Sequence, residues 1–578
     1  MNQLIIYDAQ NQQWLRFQNP DEIIIADSIE QVVCQFKRVN QLIKQHQYYG
    51  AGFLSYEAAS AFDCTLETHE LTCEFPLLWF GLYSAPEVIE IPDSVEENSY
   101  KFNWISSVSR EEYEVAIAQI KQYIKQGETY QVNYTFRLKT DFVGNSWHYF
   151  LQLIQAQPVN YAAYLETDKF TICSASPELF FCLNGDQITA RPMKGTAPRG
   201  YNLDRDKQFA KALHHCPKNR AENVMIVDML RNDIAKVSNF YSVKVPSLFD
   251  VEKYPTLWQM TSTVTAQTDR SLDEIMAALF PCASITGAPK RRTMEIIREL
   301  ETTPRKIYTG SIGFITPQNQ AQFNVAIRTV LIDKVTNKAE YGVGSGIVWD
   351  SISQDEYIEC QTKTKFLKNR PQPFELLETI LWEPNTGYFL LDYHLQRLQN
   401  SAIYFNYNIE LENIKNKLIG ITDNLKEQSY KIRLLVSATG EIDSEAIPYS
   451  QPIKTQPVKL RLSPTAIDSS NPFLYHKTTN RSVYQQAKAN TLDCDDVILW
   501  NERGEITETC IYNIIVEHNS EYLTPAVNCG LLAGSYRQLL IDKKEIKEAI
   551  ISKDILKTAK NIYVINSVQK RREAVLLL

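Results

Sequence analysis

Two lysines stand in short stretches that could make an amine reactive. Lys194 lies in ARPMKGTAPRG, with Pro192 two positions upstream and Gly195 immediately downstream, and Lys477 lies in YHKTTNR. In water a lysine is protonated and not nucleophilic, so desolvation or a neighbouring base must free its lone pair before it can attack carbon. A restricted backbone around Lys194 could meet that need, although a lone lysine in a turn is otherwise a solvated surface residue. Carboxylates supply the companions. Glu178 follows a Ser-Pro break in KFTICSASPELFFCL, which is expected to put it at the tip of a turn or the rim of a sheet. Glu356 and Glu359 in DEYIECQTK are three apart, which on a helix places both acids on one face.

The elements that must hold these residues can be read from pattern. SVSREEYEVAIAQIKQYIKQGE has a capping box in Ser109 and Glu112, apolar residues Val115, Ile117, Ile120 and Ile124, and Gly127 where a helix should stop. The strand YQVNYTFRL follows it. Helices are expected over ENVMIVDMLRNDIAKV, which begins at Glu222, and after Pro289 in APKRRTMEIIRELE. Strands are expected at YTGSIGFI, QFNVAIRTVLI and AEYGVGSGIV. The first hundred residues mix strand-like runs with one helix and end in the acidic, proline-bearing stretch PEVIEIPDSVEENS, a loop. KFLKNRPQPFEL reads as a linker, after which LLETILWEP begins a new strand and DYHLQRLQNSAIYF a new helix. The boundary is expected near residue 370, giving a first domain over 1–369, with 1–100 as its N-terminal part, and a second over 370–578.

At 578 residues more than one domain is expected. A net charge of −8 leaves no basic footprint for nucleic acid, which favours small-molecule work. The N-terminal MNQLIIYDAQ has no leader pattern and no apolar run reaches membrane-spanning length, so a cytoplasmic protein without membrane contact is expected. The 11 cysteines include no C-x-x-C pair, which reads as reduced structural thiols.

SPE, RPMKGT, ENVMIVDMLRND, SITGAPK, GVGSGIV and DEYIECQTK, taken in order between about residue 50 and about residue 366, resemble the chorismate-utilising enzymes. The resemblance implies a chorismate-binding β-sandwich with surrounding helices, in a chain of mixed α/β and α+β class. Within that family, P-x-K-G-T resembles the aminodeoxychorismate synthase component I branch, since anthranilate synthases usually carry a small residue at the position of Lys194. The implied roles follow residue by residue. Glu222, Glu356 and Glu359 match the metal-binding glutamates, and oxygen ligands of this kind suit Mg²⁺. Thr286, Tyr308, Arg328 and Lys363 match substrate positions; Arg328 can grip a carboxylate with two N–H groups. Gly342, Gly344, Ser345 and Gly346 offer backbone amides as a nest for a carboxylate. Lys194 would attack C2 of the ring as the C4 hydroxyl leaves, ammonia would then attack C4, and Glu178 would serve as acid and base. Relatives that activate water carry a lysine where this chain has Gln131, which disfavours water as nucleophile. Trp258 and Gln259 stand where many relatives carry a histidine.

From about residue 373 the chain resembles fold-type IV pyridoxal-phosphate enzymes, in HLQRL, YHKTTNR, GEITET, GLLAGSYR and INSV. The resemblance implies that Lys477 tethers pyridoxal 5′-phosphate, Glu508 holds its pyridine nitrogen, and Arg397 binds its phosphate. Ser535 and Tyr536 would add amides at a helix N-terminus opened by Gly534, with Ser567 as a further donor. Relatives often continue N-S-V with Arg-Gly, whereas Gln569 and Lys570 follow here. A homodimer through this domain is a further expectation of that resemblance. An amine placed on C4 by the first half is the handle the second needs, so the pair would yield 4-aminobenzoate and pyruvate. No glutaminase segment is visible, so ammonia would come from a separate glutamine amidotransferase subunit or from solution. Two alternatives stay open: an anthranilate synthase component fused to a branched-chain or D-amino-acid aminotransferase, and a metabolite-binding protein without catalysis.

Overall fold

The computed structural model describes residues 2–71, 75–92, 102–367, 373–423, 425–450 and 456–577. Most of the acidic loop after Pro86 and the middle of the expected linker, with its boundary near residue 370, lie outside the described residues. The chain divides into two compact units, one made of Met1–Pro198 and Ala210–Pro371 and the other of Arg199–Phe209 and Gln372–Leu578.

The first unit is built on two ten-stranded antiparallel sheets. One runs from Gly287–Ala288 through Gln131–Asp141, Lys338–Ile347, Thr329–Asp333, Phe170–Ser176 and Tyr161–Glu166 to the N-terminal strands. The other runs from Met193–Pro198 through Leu257–Gln267, Gln187–Arg191, Leu179–Asn184, Gln320–Asn324 and Ser311–Ile315 to Tyr49–Leu54 and its neighbours. Leu4, Ile6, Phe17 and Ile172 of the first sheet share one buried cluster with Phe53, Trp79, Ile312 and Phe314 of the second, which makes the pair a sandwich. Helices cover the remaining faces: Ile29–His46, Pro217–Ala235 and Leu272–Leu279 pack on the second sheet, Arg110–Lys125 and Ser146–Ala156 on the first.

Helix Arg110–Lys125 has the expected capping box, with Ser109 accepting from the Glu112 amide and Glu112 from the Ser109 amide. Its buried face, however, is Tyr113, Ala116, Ile117 and Ile120, while Val115 is 69% exposed. Val115 and Ile117 are two apart, on opposed faces of a helix, so only one could join the core. QFNVAIRTVLI is two strands, not one: Gln320–Asn324 belongs to one sheet and Thr329–Asp333 to the other. Arg328 at φ 52° makes the corner.

The second unit pairs an antiparallel four-stranded sheet with a mixed eight-stranded one. In the smaller, Leu376–Glu383, Tyr430–Val436 and Ile442–Pro448 bury Ile380, Ile432 and Leu434 against helices Leu391–Phe405 and Leu411–Thr422. In the larger, Leu460, Ile498, Ile514 and Val564 form the core. Among the described residues, no helix is long and apolar enough to cross a membrane.

Candidate active sites

The first unit holds a cavity of about 240 Å³ lined by Glu178, Lys194, Glu222, Tyr308, Arg328, Gly342 to Gly346, Glu356, Glu359 and Lys363, with Asn133, Lys218, Gln259 and Ser284. It forms where the chain passes from one sheet to the other. Phe170–Ser176 and Leu179–Asn184 belong to different sheets, so Pro177 and Glu178 span the gap. Glu178 lies at the strand end, as expected, but is buried there: it is 3% exposed and its carboxylate accepts a 2.6 Å hydrogen bond from Ser284 Oγ. Burial pushes its carboxyl above the usual range, more than the Ser284 hydrogen bond and the Lys194 ammonium pull it down.

Lys194 projects from strand Met193–Pro198, and its Nζ donates to Asn133 Oδ1 at 3.3 Å. Burial lowers its pKa, and Lys363 adds to the lowering, against the attraction of Glu222, Glu178 and Glu359. Gln259 braces the same strand by donating to the Gly195 carbonyl at 2.9 Å and accepting from Thr196 Oγ1 at 3.2 Å. Gln259 thus fixes the backbone that carries Lys194.

Gly342, Gly344 and Gly346 lie in the extended strand Lys338–Ile347 rather than in the alternating backbone of an anion nest. Their use is space. A Cβ at Gly342 would fall 2.2 Å from the Tyr308 ring, one at Gly344 2.2 Å from the Tyr134 carbonyl, and one at Gly346 2.4 Å from Gln131 Nε2 and 3.1 Å from Lys194 Nζ. Buried polar atoms without partners face this region: Arg328 Nη1 and both side-chain polar atoms of Gln131; the Ser345 side chain, on the other face of its strand with Val343 and Ile347, turns toward Tyr113 and Cys360. Such orphans are costly unless a ligand satisfies them, and Arg328 Nη1 suits a carboxylate. Thr286, expected to touch substrate, is instead behind the wall. Its hydroxyl donates within its own turn, to Cys282 and Ala283 carbonyls, and its carbonyl accepts from the Asn133 amide and side chain at 2.8 and 3.1 Å.

Glu222 comes from helix Pro217–Ala235, and Glu356 and Glu359 from helix Ser353–Thr364. Burial raises the Glu222 carboxyl, with further upward pressure from Glu356 and Glu359. Glu359 accepts from Lys363 at 2.7 Å, which outweighs burial and holds its carboxyl below the usual range. Glu356 accepts from Ser351 Oγ at 2.7 Å. Among the described residues, these acids are not drawn into a closed metal cage, but all three line one cavity.

The second unit holds a cavity of about 360 Å³ around Lys477. Burial, and then the Arg397 charge, pull the Lys477 ammonium down to about 8. Glu508 accepts from Tyr484 at 2.7 Å, and burial pushes its carboxyl up to about 7. Arg397 is gripped by Glu378 through two bonds of 2.9 and 2.6 Å, with Nη1 donating to the Ala533 carbonyl at 3.3 Å. Ser535 opens helix Ser535–Asp542 after Gly534, and its buried hydroxyl has no partner. Ser567 Oγ reaches the Thr379 carbonyl at 3.4 Å. Tyr536 does not line the cavity with its side chain, which lies near Phe389 and among Ile515, Leu540 and Ile565. An orphan hydroxyl at a helix N-terminus beside an arginine fits a phosphate, and a buried carboxylate near a lysine fits a pyridine nitrogen.

Asn133 and Ser284 escaped the sequence reading. Asn133 had a visible signal: Gln131, Asn133, Thr135 and Arg137 alternate with apolar residues in the first part of their strand, and all four are under 9% exposed. A buried strand with one polar face is lining something.

Residues 2–369 match the model of the chorismate binding enzyme family, and residues 375–574 match that of amino-transferase class IV. Aminodeoxychorismate synthase component 1 of Escherichia coli K12 is 36% identical over 324 residues, covering 56% of this chain and 66% of that one, just under two thirds of its length. Anthranilate synthase component 1 of Lactococcus lactis is 36% identical over 330 residues, covering 54% and 71%. In fold, anthranilate synthase component I from Streptococcus pneumoniae matches with a TM-score of 0.54 at 23% identity, covering 64% of this chain and 92% of that one. The lysine cavity thus belongs to a recognised sandwich, and the chain is a member of the chorismate-binding enzyme family that carries a class IV aminotransferase domain behind it.

Proposed function

We propose that the first unit aminates chorismate at C4 and that the second releases pyruvate from the product, giving 4-aminobenzoate. The observation that carries this reading is a lysine whose ammonium is destabilised by burial, sharing one cavity with a glutamate whose carboxyl is raised by burial. Lys194 Nζ forms a bond to C2, the ring double bond shifts, and the C4–O bond breaks. Glu178, in its acid form, gives the departing hydroxide a proton so that water leaves. Ammonia then bonds to C4, the C2–N bond breaks, and Glu178 takes up the surplus proton. Two accessible displacements replace one difficult one. Arg328 Nη1 suits a substrate carboxylate.

Glu222, Glu356 and Glu359 fit Mg²⁺: they are oxygen donors around one cavity, and a dication would offset both the burial that raises Glu222 and the smaller repulsion from Glu356 and Glu359. There it would supply charge to balance a substrate carboxylate. In the second unit, Arg397, Ser535 and Glu508 fit pyridoxal phosphate, which when bound supplies an electron sink. Lys477 tethers it and moves the proton at C4 of the aminated ring, and the enolpyruvyl group at C3 leaves as pyruvate. Ammonia would come from a separate glutamine amidotransferase subunit or from free ammonium.

The test is incubation with chorismate, Mg²⁺, pyridoxal phosphate and ammonium. The expected products are 4-aminobenzoate and pyruvate; anthranilate as the sole aromatic product would reject the assignment in favour of an anthranilate synthase.

A further inference from the structure

The four-stranded sheet of the second unit furnishes one wall of the Lys477 cavity. Leu377 and Thr379 of strand Leu376–Glu383, Lys431 of Tyr430–Val436, and Tyr449 all line it. The register explains why these four act together. Lys431 pairs with Leu381 on one side and Ile447 on the other, so it shares a face with residues two and four positions before Leu381 and with Tyr449, two after Ile447.

The chemistry of this face is unusual for a site meant to hold an aliphatic side chain. The Tyr449 hydroxyl is buried and has no hydrogen-bond partner among the described residues. Lys431 likewise has no ion pair there. The lining as a whole carries Arg397, Lys431, Lys477 and Arg481 against a single acid, Glu508. Arg397 is already paired with Glu378, and Lys477 is committed to tethering the cofactor. Arg481 donates to the Cys510 carbonyl and lies over the Tyr484 ring at 4.5 Å, with no carboxylate partner among the described residues. Two cations, Lys431 and Arg481, then remain for the substrate. An apolar amino acid offers one carboxylate and would leave the Tyr449 hydroxyl unsatisfied, whereas a ring with two carboxylates can answer both.

We propose that Lys431 and Tyr449 form a carboxylate-binding subsite of the second unit, which selects a dicarboxylic substrate over an apolar amino acid. Both donate to the same class of acceptor, Lys431 through its ammonium and Tyr449 through its hydroxyl. The subsite rests on the lyase reading given above and names the residues that make that reading specific.

The experiment measures pyruvate release by the full-length holoprotein from supplied aminodeoxychorismate, separating KM from kcat, with the visible absorbance of the tethered cofactor recorded alongside. Losing a hydrogen bond to a charged acceptor should raise KM roughly 10- to 100-fold in Lys431→Met and about tenfold in Tyr449→Phe. In both variants the cofactor absorbance should be unchanged, and Lys431→Arg should recover most of the affinity. A KM within about twofold of wild type in Lys431→Met would overturn the subsite while leaving the lyase reading intact, as would loss of bound cofactor in that variant. Wild-type protein that releases no pyruvate but transaminates a branched-chain amino acid would overturn the lyase reading itself.

Discussion

Replacing Gly346 with alanine should slow the chemistry of the first unit at a small cost in stability. The new Cβ would sit 2.4 Å from Gln131 Nε2, 3.0 Å from Asn133 Oδ1 and 3.1 Å from Lys194 Nζ, whereas ordinary contact begins near 3.4 Å. Gln131 Nε2 must move by about 1 Å and the other two by a few tenths of an ångström, and each atom met is the end of a side chain, Asn133 and Lys194 beside the cavity. The expected stability loss is therefore only about 1 kcal/mol, at the low end for overpacking. Lys194 Nζ and the asparagine that holds it must yield by about 0.3 to 0.4 Å, and since a misplacement of about 1 Å can cost roughly 10²-fold in rate, a shift of that size should cost about fivefold. The assay is kcat for amination with chorismate and ammonium, with pyruvate release from supplied aminodeoxychorismate as the internal control, since that step uses the second unit. Gly344→Ala gives the contrast: its Cβ would meet the Tyr134 carbonyl at 2.2 Å, so the sheet itself must yield and a folding defect is expected. Amination by Gly346→Ala within about twofold of wild type would refute the claim that this glycine keeps space for Lys194.

Glu178→Gln should lower the amination rate by about 10²- to 10⁴-fold, the usual worth of a positioned proton donor. Because burial raises the Glu178 carboxyl, wild-type activity should fall as pH rises through that group's titration, and the variant's pH–rate profile should lack this limb. In the second unit, a Lys477 ammonium pulled down from 10.5 to about 8 leaves about 10% free amine at pH 7, against about 0.03% for an ordinary lysine. Attachment of pyridoxal phosphate to cofactor-free protein, followed by absorbance, should rise with pH and level off above 8; a rise continuing toward 10.5 would contradict the burial argument. Glu378 is pulled from 4.5 to about 2, the Arg397 charge and the hydrogen bonds from His394 and Arg397 overcoming burial. A depressed acid stabilises the fold fully above its unfolded value and loses that contribution as pH falls through the folded value. The second unit should therefore lose about 3 kcal/mol between pH 5 and pH 2, measurable by urea denaturation, and a flat profile would count against the pair.

Sequence and structure agree where local chemistry is decisive. The capping box at Ser109 and Glu112 and the stop at Gly127 define their helix because caps act within one turn. Val115 misleads because apolar character alone does not choose between faces, and Tyr113 and Ala116 complete the buried stripe. Two of the places where the chain changes sheet differ in legibility. Ser176-Pro177 announces a break, but Arg328 turns its corner with a positive φ and neither glycine nor proline marks it. Motif membership found the lining lysines and glutamates, yet it could not tell that Thr286 faces away from the cavity, since that depends on which side of Asn133 its turn closes. The glycines were legible as special and their reason was not: the crowding around Gly342 and Gly346 arises from Tyr308, Gln131 and Lys194, which only the tertiary fold brings there.

The division of labour between the two lysines can be tested in one comparison. Lys194→Ala and Lys477→Ala are each incubated with chorismate, Mg²⁺, pyridoxal phosphate and ammonium, and the products are separated. Lys194→Ala should form neither aminodeoxychorismate nor 4-aminobenzoate, while Lys477→Ala should accumulate aminodeoxychorismate and release no pyruvate. Amination by Lys194→Ala at a rate near wild type would contradict a bond between that amine and the ring.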